Sequence, residues 1–300
     1  VACRAGGVPA DAVEMREAVI EIEARAGMDA PYPFLAALVP ADWTIDGAVA
    51  LDGADNCGVY EKPRLRAVSA DGAASLEIVP GAGWTASPYK AQFSGCKSRN
   101  LHDAARYAEE LLKSAESKAA ITGSAERADL TDQFKSYVDY VNASGARADA
   151  SAAELTFEVR SPGAAPMHGV IIAAMLTNTP HIHIPEHEKR ATAYPAVIAR
   201  TRGAAPDPKL VEAFRASATV NPGWMSVRER LLGWSGRGSA DGDLRTLIRN
   251  AAPFPARASG AAAKACGGSF ASLDLANLWK AEDGRIWFSP SLTGALAGPP

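Results

Sequence analysis

Charge is scarce in this 300-residue chain. Asp, Glu, Lys and Arg together make up 22% of it, with a formal net charge of −3 at pH 7. No block of like charge stands out and there is no basic excess, which argues against a protein that lives on nucleic-acid phosphates. No apolar run approaches the roughly 18 residues that a membrane-spanning helix requires. Aromatic residues are sparse at 7%, although six of them are Trp. Cysteine is limited to four residues, too few for a stapled scaffold but enough for structural pairs. None of them forms a C-x-x-C pair, so zinc-ribbon and thioredoxin-type readings are weak. What the chain does have is apolar residues, 47% of it, enough core for one large or two ordinary domains.

The cysteines carry the first positive inference. Cys57 and Cys96 both lie in polar, turn-like stretches, and closing the loop between them would stabilise the fold by roughly 3–4 kcal/mol on a chain-entropy argument. Val1-Ala2-Cys3 has the small-small-Cys pattern of a bacterial lipobox, in which the Cys is lipidated. Two readings stay open: Cys3 is a lipid tether, or Cys3 pairs with Cys266 and clasps the two ends. Either way the expected compartment is oxidising, periplasmic or extracellular, with the membrane reached only through lipidated Cys3.

Periodicity outlines the elements. Asp11 to Gly27 reads as a helix with Met15, Val19 and Ile22 on one face. Phe34 to Val39 is a short apolar run. Asp46-Gly47 and Asp71-Gly72 each sit between stretches of strand character and predict two hairpin turns. Asn100 is expected to cap a helix whose stripe is Leu101, Ala105, Ala108 and Leu112, and 114–127 reads as an exposed connection. A further helix from Asp129 would bury Phe134, Tyr137, Val138 and Val141. Small polar residues at 142–150 mark a boundary, giving an N-terminal α+β region (1–148) and a C-terminal α+β region (149–300).

The second region opens with a period-2 strand, Leu155, Phe157 and Val159 facing inward. Gly169 to Leu176 is apolar throughout, as in a strand covered on both faces. Tyr194 to Arg202 reads as another strand. Asp207-Pro208 is an N-cap and N1 pair, and Asn221-Pro222 repeats the device before Trp224, Val227 and Leu231. The chain closes on a hairpin with Trp279 facing Trp287.

The run Leu38-Val39-Pro40-Ala41-Asp42-Trp43, with Asp71-Gly72 feeding Leu76-Glu77-Ile78-Val79-Pro80, resembles the opening of the PsbP/Mog1-like fold. The stretch Ala205 to Ala218, ending in Asn221-Pro222-Gly223-Trp224, resembles the closing helix of bacterial exported proteins that carry such sheets, and the terminal Leu278-Trp279…Phe288-Ser289 hairpin is similar to theirs. The resemblance covers about half the chain, in patches, and carries no catalytic residues. It implies an α+β sandwich, antiparallel sheet packed against helices, used for docking or binding outside the cytoplasm. The long insert between the two sheet-forming regions departs from a compact single domain of that kind.

The best chemical lead is His181-Ile182-His183-Ile184-Pro185-Glu186-His187-Glu188, which holds three of the chain's five histidines. In an extended segment His181 and His183 point to one side, and a turn at Pro185 would return His187 or Glu188 toward them. Such a set suits zinc or copper and opens a metal-binding or metal-dependent hydrolase reading. The plainer reading is a solvated hairpin loop. Asp42, Asp46, Asp52 and Asp55 suit turns better than calcium. Gly233-Trp234-Ser235-Gly236-Arg237 lacks the closing glycine of a nucleophile elbow, and the glycines at 236, 238 and 242 have the wrong spacing for a phosphate loop. Trp224 and Trp234 lie ten residues apart on one expected helix and do not share a face, so one of them is a candidate ligand or partner surface. The residues thus favour an extracytoplasmic binding or structural protein without catalysis, its partner a protein or small ligand, with the metal reading second.

Overall fold

The computed structural model describes residues 3–4, 10–24, 28–51, 57, 59–86, 96–179, 189–224, 227–228, 270–272, 277–281, 283 and 285–290. The strands are, in chain order, β1 (Cys3–Arg4), β2 (Val13–Ile22), β3 (Tyr32–Pro40), β4 (Thr44–Leu51), β5 (Glu61–Val68), β6 (Ala74–Val79), β7 (Ala82–Thr85), β8 (Ala120–Glu126), β9 (Arg147–Val159), β10 (Met167–Thr179), β11 (Arg190–Ala193), β12 (Ala196–Arg202), β13 (Thr219–Val220), β14 (Phe270–Ser272), β15 (Leu278–Lys280) and β16 (Ile286–Phe288). The helices are α1 (Ala104–Ala115), α2 (Ala128–Thr131), α3 (Lys135–Ala143) and α4 (Pro208–Ser217), with a 3₁₀ turn at Asp132–Phe134. The fold is α+β and mostly sheet. Two compact units divide it: 1–49 with 67–70 and 207–300, and 50–66 with 71–206. The boundary expected at 148/149 falls inside β9.

In the first unit, β2 corrects the helix expected over 11–27. Ala18, Ile20 and Ile22 are buried at every second position, and Val19, placed inward by the helical reading, is 40% exposed. Ile22 satisfies either period, and Met15 is buried out of phase with that alternation, seven residues from Ile22 as on one helical face, so the local pattern alone does not choose. Hydrogen bonding decides: β2 pairs antiparallel with β3 and with β16, and parallel with β4 at Ile22↔Val49. Ladder pairing overrides the helical preference of Met, Glu and Ala. Asp46-Gly47 is likewise not a turn but the middle of β4. The apolar run at Tyr32–Pro40 is a strand buried throughout apart from half-buried Pro33.

The Asp207-Pro208 device works as expected. The Asp207 side chain accepts from the Lys209 N–H at 2.9 Å and starts α4. Val211, Ala213, Phe214 and Ser217 are the buried face of α4. Ser217 Oγ donates to Phe214 O and accepts from Leu38 N–H, both at 2.8 Å, which satisfies a buried β3 donor. The terminal hairpin forms with Trp279 opposite Trp287, and β14 extends it on the other side of β15.

The second unit is an antiparallel sheet in the order β8–β9–β10, then β11 with β12, then β7 with β6. The Asp71-Gly72 turn precedes β6, Gly72 at φ 67°. β10 lies inside the sheet with strands on both edges, and its Ile171, Ala173 and Met175 are buried in the core with α1. Helix α1 covers one face, its Ala104, Tyr107, Ala108 and Leu112 packing with Leu155, Phe157, Ile171, Met175 and Ile198. Its cap is Asp103, accepting from Arg106 N–H at 2.9 Å, and not Asn100; the buried stripe shifts accordingly to Ala104 and Tyr107. Trp84 stacks on Tyr107 with ring centroids 5.5 Å apart and donates from Nε1 to Leu101 O at 3.0 Å.

The stretch expected to be a connection, 114–127, contains β8, an exposed strand whose described partner is β9. Polarity is what a sheet edge looks like in sequence. The helix expected to bury Phe134, Tyr137, Val138 and Val141 buries none of them fully: Phe134 lies in the 3₁₀ turn before α3 and is half-buried like Val138 and Val141, and Tyr137 is 46% exposed.

Candidate binding cleft

In the second unit the first residues of β9, the last of β10 and Lys189, together with Asn142, Gly145 and Ala146, line a cleft of about 730 Å³. β9 starts at Arg147, β10 ends at Thr179, and Lys189 stands just before β11. In the β9–β10 ladder Arg147 is opposite Thr179 and Asp149 opposite Thr177. On the other edge of β10, Asn178 is opposite Arg190 and Thr177 opposite Ala191, so Lys189 stands beside Thr179. The register therefore creates two rows across the sheet, Arg147–Thr179–Lys189 at the rim and Asp149–Thr177–Ala191 one pleat further in. Residues two apart on a strand share a face, so both rows present their side chains to the same side.

The rows are held rigidly. Asn142, at the end of α3, accepts from Ala148 N–H at 2.7 Å and donates to Ala148 O at 3.3 Å, which clamps the start of β9. Lys189 O accepts from Ala86 N–H at 2.6 Å. Further in, Ala104 N–H at the start of α1 donates to Ser151 Oγ at 2.9 Å. Thr177 and Ala191 are buried, at 3% and 1%, whereas Arg147 and Asp149 on the neighbouring strand are exposed to solvent. Arg147, Lys189 and Asp149 make no ion pair with any described residue, although a cation and an anion lie two apart on β9. A concave, pre-formed space lined by hydroxyls, an amide and unneutralised charges of both signs is suited to hold a polar ligand.

The candidates drawn from sequence fare differently. His181, His183, His187 and Glu188 lie outside the described residues, as do Cys266 and Trp234. Among the described residues no three His, Cys, Asp or Glu side chains come together as a metal centre. His102 donates from Nε2 to Asn100 Oδ1 at 2.8 Å, and His168 lies on β10. Trp224 is no surface: it is 2% exposed, in ring contact with Phe34 at 5.3 Å and Tyr32 at 5.7 Å. The Asn221 side chain sets that packing, accepting from Gly223 N–H and donating to Pro33 O, both at 2.9 Å.

Cys57 and Cys96, 39 positions apart in sequence, are joined, with Cα atoms 5.4 Å apart. The bond fits an oxidising, extracytoplasmic location. Among the described residues no helix is long and apolar enough to cross a membrane.

Sequence reasoning did not single out Arg147, Asp149 or Lys189. The available signal was slight: the apolar run of β10 turns polar at Thr177-Asn178-Thr179, and each neighbouring strand begins at a cation. No family model, no curated protein and no solved structure matches the chain.

Proposed function

We propose that this is an extracytoplasmic binding protein that retains a small polar ligand and returns it unchanged. The observation that carries the reading is the cleft where β9 begins, β10 ends and β11 begins, whose charged side chains make no ion pair with any other described residue. The Cys57–Cys96 bond supports a periplasmic or extracellular setting. The antiparallel sheet with α1 on one face supports the α+β sandwich that the PsbP/Mog1-like resemblance implies. Lipidation of Cys3 would add a membrane tether; pairing with Cys266 would replace it.

Equilibrium dialysis of the full chain against a bacterial small-molecule extract, followed by mass spectrometry, tests the reading. A ligand enriched on the protein side and recovered at its original mass is the expected result. Conversion of that ligand into a product would overturn it in favour of an enzyme.

The spacing of His181, His183, His187 and Glu188 favours a second reading, a zinc-binding protein or metal-dependent hydrolase. Calorimetric titration of tag-free protein with zinc tests it. Without saturable binding below roughly millimolar, where the binding free energy is about −4 kcal/mol, that reading fails.

A further inference from the structure

We infer that the ligand of this cleft is a short zwitterion of the dipeptide kind, its carboxylate held between Arg147 and Lys189 and its ammonium by Asp149; the inference rests on the binding reading above. Thr179 separates the two cations, and two strand spacings put their backbones about 10 Å apart. Two long cationic side chains, neither in an ion pair with another described residue, close such a gap around one carboxylate. Arg147 offers a planar pair of donors that matches the two oxygens, and the Thr179 hydroxyl lies between the cations as a third donor.

Asp149 sets the other end. It lies two residues along β9 from Arg147, on the same side of the sheet, which is about 7 Å. A ligand with only negative charge would be repelled by Asp149, and a purely cationic one would be repelled twice at the rim. A zwitterion meets all three charges with the right sign. Its two charges must also lie as far apart as the two rows. The ends of an extended dipeptide span two residues at about 3.3–3.6 Å each, or about 7 Å, whereas those of a free α-amino acid lie within one residue. The cleft's volume of about 730 Å³ leaves room for side chains on such a ligand.

Isothermal titration of the full chain with alanylalanine, N-acetyl-alanylalanine and alanylalanine amide tests the assignment. The parent dipeptide is expected to bind, and each blocked form to bind at least tenfold more weakly. Arg147→Gln with Lys189→Gln should weaken the parent at least tenfold. Asp149→Asn should weaken the parent but leave the N-acetylated form unchanged, a split that a merely structural role would not produce. Arg147 and Asp149 are exposed, so the substitutions should leave the fold intact, which circular dichroism melts of each variant check. Equal binding of the amide and the parent, or parent binding indifferent to the Arg147 and Lys189 substitutions, overturns the assignment. So does the absence of alanylalanine binding up to about 10 mM when dialysis retains some other ligand, in which case the binding reading stands. If dialysis retains nothing and no dipeptide binds, both fall.

Discussion

Phe157 on β9 lays its ring across Gly169, its register partner on β10. A Cβ at Gly169 would fall on the Cζ, Cε1 and Cε2 atoms of that ring, and Phe157 is 1% exposed. Glycine weakens a strand when nothing replaces its missing side chain. Here the neighbouring aromatic ring fills the space and seals the core beneath α1.

Gly169→Ala is therefore expected to cost about 1–3 kcal/mol by overpacking, read as a lower urea midpoint. In a Phe157→Leu background the same substitution should cost less, since the obstructing ring is gone. Equal costs in the two backgrounds would show that the ring is not what keeps residue 169 a glycine.

Cys57→Ser with Cys96→Ser should lower stability by about 4 kcal/mol, the chain-entropy value for a loop of roughly 40 residues. Non-reducing peptide mapping should recover these two cysteines in one linked peptide. It also decides between clasp and tether. Cys3 is registered opposite Ala271, which brings the start of the chain beside the stretch that follows Cys266. A Cys3–Cys266 peptide is the expected outcome, and a lipid mass on Cys3 would sink the clasp.

Arg200 joins two carboxylates beside the C-terminal end of α1. Its Nη1 is 3.1 Å from Glu77 Oε2 and its Nε 3.1 Å from Glu116 Oε1, with side-chain exposures of 11%, 14% and 25%. The Nε contact lacks hydrogen-bond alignment, so the Glu77 pair is the firmer of the two. Arg200→Ala strands a largely buried Glu77 and is expected to cost about 3 kcal/mol in equilibrium unfolding. Adding Glu77→Gln should return part of that loss. If the double variant is no more stable than Arg200→Ala, the pair is not coupled.

Burial pushes the Tyr107 hydroxyl up to about 12; nearby Arg99 opposes the shift and Glu110 adds to it. The raised value means that the folded chain keeps this proton after the unfolded chain, near 10.0, has released it. The contribution is thus fully present below pH 10 and is lost as pH rises from about 10 to 12, at up to about 1.4 kcal/mol per pH unit. Denaturant midpoints measured across that range should fall less steeply for Tyr107→Phe. Identical slopes for the two proteins would assign the alkaline loss to other groups.

Much of the second unit was legible because its signals were redundant. In β9 the alternation of Leu155 and Phe157 with polar neighbours, and in β10 an unbroken apolar run, each point to one kind of strand. Asp207-Pro208 and Asp71-Gly72 impose backbone angles that few other structures use, so they read correctly as helix start and turn. The misreadings have a common cause. Met15 and Ile22 are spaced as on a helix face although they lie in a strand, and Asp46-Gly47 is turn chemistry carried through a strand by its neighbours. Trp224 was read as a candidate surface because helix geometry alone cannot show that Tyr32 and Phe34, nearly 200 positions earlier, cover it.

The periodicity of the chain and the polar, turn-like settings of Cys57 and Cys96 pointed, from sequence alone, to an α+β fold and to the Cys57–Cys96 pair. Composition and short-range spacing report directly on burial, turns and compartment. The cleft was decided by tertiary structure. Arg147 and Lys189 carry no motif and stand 42 positions apart, and only the register of β10 against β9 and β11 brings them to either side of Thr179. Register is a property of paired strands, set by which faces are buried, and no single segment contains it.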